Sequence, residues 1–328
     1  MPPVIEIENL SIGIGDAAIT DSVSFAVQPG QIYGIVGESG CGKTITALAC
    51  MGMLPEPGGQ LLAGQIRFKG EDVYSMSAER LRQIRGAEIS MIFQEPTSSL
   101  NPLLTIQKQL AEVFEFHDFD GDPNQRIDQV LRRVGFSDPE RILASYPHQL
   151  SGGMLQRVVI ALALLLEPAL IIADEPTTAL DVTVQAQIME LLVELQKEEG
   201  CSVLLITHNI GLIAQYADRV GVMYAGHLIE ERDVEPFLAN PLHPYSKGLM
   251  AALPDVDSPR QLNPIPGQVP PVGKYPTGCR FRTRCEQVFS PCDQPVPDFS
   301  PEGDARVRCF LYDQQHQSTS AASKGSIQ

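Results

Sequence analysis

Residues Gly37–Thr44 read GESGCGKT and follow the apolar run IYGIV, Ile32–Val36; the helix-patterned stretch KTITALACMGM, Lys43–Met53, opens inside the motif. Strand, glycine-rich turn and helix start are the context in which G-x-x-x-x-G-K-[ST] binds phosphate. Glycine lets the backbone curl so that its amides converge on phosphate oxygens, and the helix adds its positive end. Lys43 supplies a point charge, and the Thr44 hydroxyl is a magnesium ligand of the right type. Gly37, Glu38, Ser39, Gly40, Cys41, Gly42, Lys43 and Thr44 are therefore candidate nucleotide contacts, with Cys41 filling a variable position.

Two further elements lie downstream. LIIADE, Leu170–Glu175, is an apolar strand ending in two acids. Asp174 would sit at the carboxyl edge of a sheet, where it can hold magnesium, and Glu175 would be poised to polarise water. LSGGM, Leu150–Met154, precedes an apolar helix; Ser151 is a good N-cap, and Gly152-Gly153 permit close approach at a positive helix end.

With these residues in hand the chain resembles the ATP-binding cassette (ABC) ATPases over roughly residues 4–250. The resemblance assigns Gln94 of MIFQEP to the Q-loop, Ser151, Gly152, Gly153 and Met154 to the signature, and Asp181 of Thr178-Ala179-Leu180-Asp181 to the D-loop. Glu175 and His208 of LLITHN become the catalytic pair, and Thr44, Gln94 and Asp174 the magnesium set. It implies an α/β P-loop NTPase cassette, a RecA-like core with a helical subdomain at about 95–165, using ATP and Mg2+. Two cassettes would pack head to tail, each ATP held between the phosphate loop of one and the signature of the other. Met154 departs from the usual glutamine. The aromatic residue that stacks on adenine in many relatives is not evident: Ile14, Ala17 and Ile19 occupy its plausible places.

NPLHPYSKGLMAALP, Asn240–Pro254, with PIPGQVPPV after it, is similar to the C-terminal extension of oligopeptide/dipeptide importer ATPases, carrying the resemblance to about residue 312. That family implies import of di- or oligopeptides, with nickel, glycosides or other solutes as alternatives. It also implies a second ATPase subunit, commonly a paralogue giving a heterodimer, two permease subunits and an extracytoplasmic solute-binding protein. The expected organisation is a cassette at 1–250, a Pro/Cys-rich extension forming a small domain at 251–312, and a disordered tail at 313–328. Seven prolines between Pro254 and Pro276 mark an ordered arm or linker.

Cys279, Cys285, Cys292 and Cys309 are spaced C-x5-C-x6-C-x16-C. Four thiolates suit a [4Fe–4S] cluster or zinc; spacings longer than C-x2-C tilt the reading toward iron, with free thiols or disulfides as the remaining alternatives. Arg280, Arg282, Arg284, Arg306 and Arg308 stand near them and could offset a cluster's negative charge.

Composition bounds these readings. The 328 residues are 43% hydrophobic and 20% charged, enough for a substantial core. With 24 basic against 40 acidic residues the formal net charge is −16, which argues against nucleic-acid partners. A single phosphate loop excludes the two-cassette ribosome type, and the interval from Thr44 to Leu150 has no room for the coiled coils of chromosome-type members. The longest apolar stretch, Val158–Leu166, is nine residues, far short of a membrane span, and MPPVIEIENL has acid where a signal peptide is basic. The expected location is the cytoplasmic face of the membrane, as a peripheral subunit.

Overall fold

The apolar runs IYGIV, LIIAD and SVLLIT become strands buried at every residue. Strands covered on both faces belong to a parallel sheet between helices, so no polar alternation survives in their sequence. The computed structural model describes residues 2–178, 180–252 and 265–313. In chain order its strands are β1 (Ile5–Ile14), β2 (Ala17–Val27), β3 (Ile32–Val36), β4 (Gly59–Phe68), β5 (Glu71–Asp72) and β6 (Ile89–Ile92). They continue with β7 (Leu170–Asp174), β8 (Ser202–Thr207), β9 (Arg219–Tyr224), β10 (His227–Asp233) and β11 (Arg306–Val307).

Seven strands form one sheet in the order β11-β10-β9-β3-β8-β7-β6, and four form an antiparallel sheet, β2-β1-β4-β5. Strands β6, β7, β8, β3 and β9 run parallel. The register decides where the chemistry falls. Val36 pairs with Thr207 and Asp174 with Ile206, so the chain leaves β3, β7 and β8 side by side at one edge. Gly37, Glu175 and His208 are the first residues beyond those ends. Ligands of open α/β sheets bind at this edge.

The helical segment is built from Ile106–Phe116, Pro123–Arg133, Pro139–Ala144 and Gly152–Leu164. Thr105, Asp122, Asp138 and Ser151 cap them, each side chain accepting a backbone N–H of the first turn. Leu110, Ile127, Val130, Leu131, Ile142, Leu155 and Val158 face a shared core with the sheet. The helix expected over 43–53 stops at Cys50, because Gly52 turns left-handed at φ 63°.

Residues 265–313 have little regular structure yet are joined to the cassette. β11 pairs antiparallel with β10, Glu230 opposite Val307 and Glu231 opposite Arg306. Phe281 enters the main core, its ring meeting Tyr224 and Tyr245 edge-on. A separate small C-terminal domain is thus not confirmed: this segment shares the sheet and the core. The stretches 253–264 and 314–328, including the first part of the expected Pro-rich arm and nearly all of the tail, lie outside the described residues.

Candidate nucleotide site

The loop after β3 has Gly40 at φ 78° and Gly42 at φ 105°, conformations that favour glycine. A Cβ on Gly37 would lie 2.2 Å from the Met223 carbonyl oxygen, so glycine is required there by space as well. Lys43 Nζ donates to the carbonyl oxygens of Gly37 at 2.8 Å and Glu38 at 3.3 Å, spanning the loop from within. A cleft of about 760 Å³ opens over it, lined by Gly37, Glu38, Ser39, Gly40, Gly42, Lys43 and Thr44. The Cys41 side chain is fully buried, belongs to the core under the loop and does not line the cleft, so its part in the motif is that of its backbone. Burial pushes its thiol above the usual range.

Gln94, Glu175, Thr178 and His208 line the same cleft. Glu175 Oε2 is the point where they meet: Gln94 Nε2 lies at 3.3 Å, Thr178 Oγ1 donates at 2.9 Å and His208 Nδ1 lies at 3.1 Å. Burial raises the Glu175 carboxyl, but the His208 and Thr178 hydrogen bonds outweigh it and bring it below the ordinary value. Glu175 also holds φ 48°, a left-handed backbone that is costly for a side chain of this size and is held by its N–H bond to the Ile206 carbonyl at 2.8 Å.

Asp174 is nearly buried, and burial raises its carboxyl, opposed by the Thr44 hydroxyl bonded to it. Its Oδ1 has no hydrogen-bond partner. An orphaned carboxylate oxygen beside a threonine hydroxyl is a donor set that fits Mg2+.

The signature residues are elsewhere. Ser151 caps the helix Gly152–Leu164 by accepting the Met154 N–H at 3.4 Å, and none of Ser151, Gly152, Gly153 or Met154 lines the cleft. A Cβ on Gly153 would come within 2.8 Å of Val184, so close packing on the next helix also requires this glycine. Asp181 caps that helix, Val182–Glu199, accepting the Val184 N–H at 3.0 Å.

At the cleft's other end Ile19 is the one of the three expected positions that reaches the lining, and no aromatic side chain joins it among the described residues. Leu249, at the end of the cassette, and Val272, from beyond it, do join it. Sequence reasoning missed both, along with Tyr245, near the cassette's end, and Arg284, in the C-terminal segment, which touch the phosphate loop. No local pattern marks such contacts.

The four C-terminal cysteines come into one neighbourhood. Cys279 N–H donates to the Cys292 carbonyl at 2.9 Å, and Cys309 is within electrostatic reach of the other three thiols. Burial pushes Cys279 up to about 11 and Cys309 up to about 12. Among the described residues, however, no three His, Cys, Asp or Glu side chains are close enough together to hold a metal ion. The donor chemistry suits iron or zinc, but the thiol spacing is not that of a coordination shell. The arginines expected to offset a cluster's charge are mostly committed elsewhere: Arg280 to Asp21, Arg284 to Glu38, Arg306 to Glu231 and Arg308 to Asp298.

Residues 20–178 match the family described as ABC transporter, and residues 229–292 match the oligopeptide/dipeptide transporter C-terminal region. The chain is 46% identical over 299 residues to the oligopeptide transport ATP-binding protein AppD of Bacillus subtilis, covering 90% of this chain and 91% of that one. It is 44% identical over 323 residues to the dipeptide transport ATP-binding protein DppD of the same organism, covering 96% of each. Among solved structures, the ATP-binding cassette MJ0796 bound to ADP and Pi superposes with a TM-score of 0.61 at 28% identity, over 70% of this chain and 98% of that one. CbiO1 from Clostridium perfringens gives 0.62 at 26%, over 73% and 92%. No helix among the described residues is long and apolar enough to cross a membrane. Phosphate loop, strand-end carboxylates and these likenesses agree: the chain belongs to the ABC transporter family, as an ATP-hydrolysing cassette of the oligopeptide/dipeptide transporter type.

Proposed function

We propose that this ATPase energises import of di- or oligopeptides through a pair of membrane permeases, bound peripherally at the cytoplasmic face of the membrane. The printed names of its relatives and the extension shared with them support the substrate class. A solute-binding protein outside would deliver the cargo, and a second cassette, a paralogue, would complete each ATP site. The cassette occupies 1–250 with its helical part at about 95–165, and the extension 251–312. Exposure of Leu103 (82%) and Val182 (83%) supports partner contacts beside the Q-loop and D-loop.

One observation carries the catalytic assignment: Gln94, Thr178 and His208 converge on Glu175 across the cleft from Lys43. Lys43 and the loop amides neutralise the β- and γ-phosphates. Glu175, ionised at neutral pH, orients the attacking water and accepts its proton, while His208 turns from Glu175 toward the γ-phosphate. Thr44, Asp174 and Gln94 would hold Mg2+, which supplies charge neutralisation between the phosphates. Ser151, Gly152, Gly153 and Met154 serve the partner's nucleotide, with Asp181 at that interface. Glu175→Gln should retain ATP binding and lose at least about 100-fold in hydrolysis by the assembled transporter. Hydrolysis at the parent rate would remove Glu175 from this role.

For Cys279, Cys285, Cys292 and Cys309 the proposal is a structural [4Fe–4S] cluster, with zinc as the alternative; the soft-ligand chemistry of four thiols in one segment supports it, and binding would have to draw them closer together. Anaerobically purified chain should then contain about four irons. Stoichiometric zinc would assign the other metal, and metal-free active protein would discard both.

A further inference from the structure

Glu38 is an unusual neighbour for a triphosphate. It lies inside the phosphate loop, lines the cleft and carries a negative charge where a polyanion must bind. Like charges facing each other across a partly desolvated cleft repel. The structure meets this charge from an unexpected direction. Arg284, in the cysteine-rich segment, lies 246 residues away and places Nη1 at 3.0 Å and 3.2 Å from the two Glu38 carboxylate oxygens.

This contact is built rather than incidental. The Arg284 side chain is 5% exposed. Its Nε donates to the Pro266 carbonyl at 2.8 Å, Nη2 to the Ile265 carbonyl at 3.3 Å and Nη1 to the Tyr224 hydroxyl at 3.3 Å. Its guanidinium carbon lies 5.7 Å and 5.8 Å from the ring centres of Tyr224 and Phe281. Gly267, at φ 76°, lets the backbone wrap this side chain: a Cβ there would lie 3.3 Å from Arg284 Cγ. Tyr245, fully buried, accepts the Glu38 N–H on its hydroxyl at 3.1 Å. Carboxylate and amide of one loop residue are thus held from 246 and 207 residues along the chain.

We propose that Arg284 is a positioning residue of the ATP site: by neutralising and drawing back the Glu38 carboxylate, it makes the phosphate loop receptive to a triphosphate. The C-terminal segment is then a working part of nucleotide binding. This rests on the ATPase reading above and deepens it. Arg284 itself need not touch the nucleotide; it acts through Glu38, so its removal should matter in proportion to the ligand's charge and only while Glu38 is an acid.

The test is binding of adenylyl imidodiphosphate and of AMP to the full chain, with thermal melting as the folding control. Arg284→Met should raise Kd for the triphosphate analogue about tenfold and for AMP by less than about twofold, the scale of one uncompensated charge. Glu38→Gln placed on top should restore the triphosphate to within about twofold of the parent, since replacing both partners leaves no unpaired charge beside the ligand. An unchanged Kd in Arg284→Met, or a double variant as weak as the single, overturns the proposal. Should Arg284→Met fail to fold, Arg284→Gln takes its place in both the single and the double variant, with the same outcomes deciding. Lys43→Ala serves as the separate control. If it binds the analogue like the parent, the nucleotide reading itself has failed, whatever Arg284 does.

Discussion

Strands β3, β7 and β8 contain no residue that is not buried, whereas residues 265–313 contain one two-residue strand and two single helical turns, Ser290–Asp293 and Phe310–Tyr312. The first region is held by apolar area removed from water and by parallel ladders. The second is stapled to the first by arginines: Arg280 on Asp21 and the Ala225 carbonyl, Arg284 on Glu38, Arg306 on Glu231 and the Ser24 carbonyl. A handful of apolar side chains, Phe281, Val307 and Phe310 among them, complete the attachment. An irregular chain can therefore be ordered by charge-assisted contacts where its core contribution is small. Its order is then local and conditional, while that of the sheet is cooperative.

The largest expected effect tests the cooperative half. Leu205→Ala, at a fully buried position of β8, should cost about 4 kcal/mol and lower hydrogen-exchange protection throughout the described cassette. Loss confined to β8 would show that the sheet is not one unit. Arg306→Met comes next. Glu231 keeps Arg219 and the Tyr33 hydroxyl as partners but loses its Arg306 contact, so the change should cost about 2 kcal/mol. It should open 265–313 to limited proteolysis while the cassette stays resistant. Equal cleavage of both regions would erase the distinction drawn here.

The smallest effect, counted per pH unit, is a pH dependence at the seam between them. His243 is buried, its Nδ1 accepting the Tyr245 N–H at 3.0 Å, and burial holds it down to about 3, with Lys247 adding to the shift. Below pH 6.5 the unfolded chain takes up a proton that the folded chain refuses, so this group lowers stability as pH falls from about 6.5 toward 3. The slope is at most about 1.4 kcal/mol per pH unit. Glu230, raised by burial, acts with the opposite sign, so the informative quantity is the difference between the parent and His243→Gln in urea melts across this range. Parallel pH profiles would show that His243 is not the group responsible.

Much of the cassette was legible in the residues. Strands IYGIV and LIIAD appear with the bounds their patterns announce. Continuous apolar runs, caps and glycines are local signals, and here local preference and tertiary packing agree. β10 was missed because HLIEERD hides a strand behind charges: Glu230, Glu231 and Arg232 are all nearly buried. Their cost is met by partners far along the chain, including Arg219, Arg306 and the N–H groups of Leu242 and His243. Motif membership also says nothing about which side of a loop a side chain takes, and that of Cys41 turns to the core.

The sequence by itself determined the phosphate loop, the carboxylate pair at Asp174 and Glu175, the capped signature helix and the family, because each is written in a few consecutive residues whose backbone geometry follows from their types. Only the tertiary structure decided that Gln94, Thr178 and His208 share one oxygen of Glu175, since that depends on the register of β3, β7 and β8. It alone decided that the arginines among the cysteines reach back to the cassette, and that Glu38 meets Arg284 across 246 residues. An ion pair requires two groups within a few ångströms and imposes no spacing along the chain, so it leaves no mark in the sequence until the fold has closed the distance.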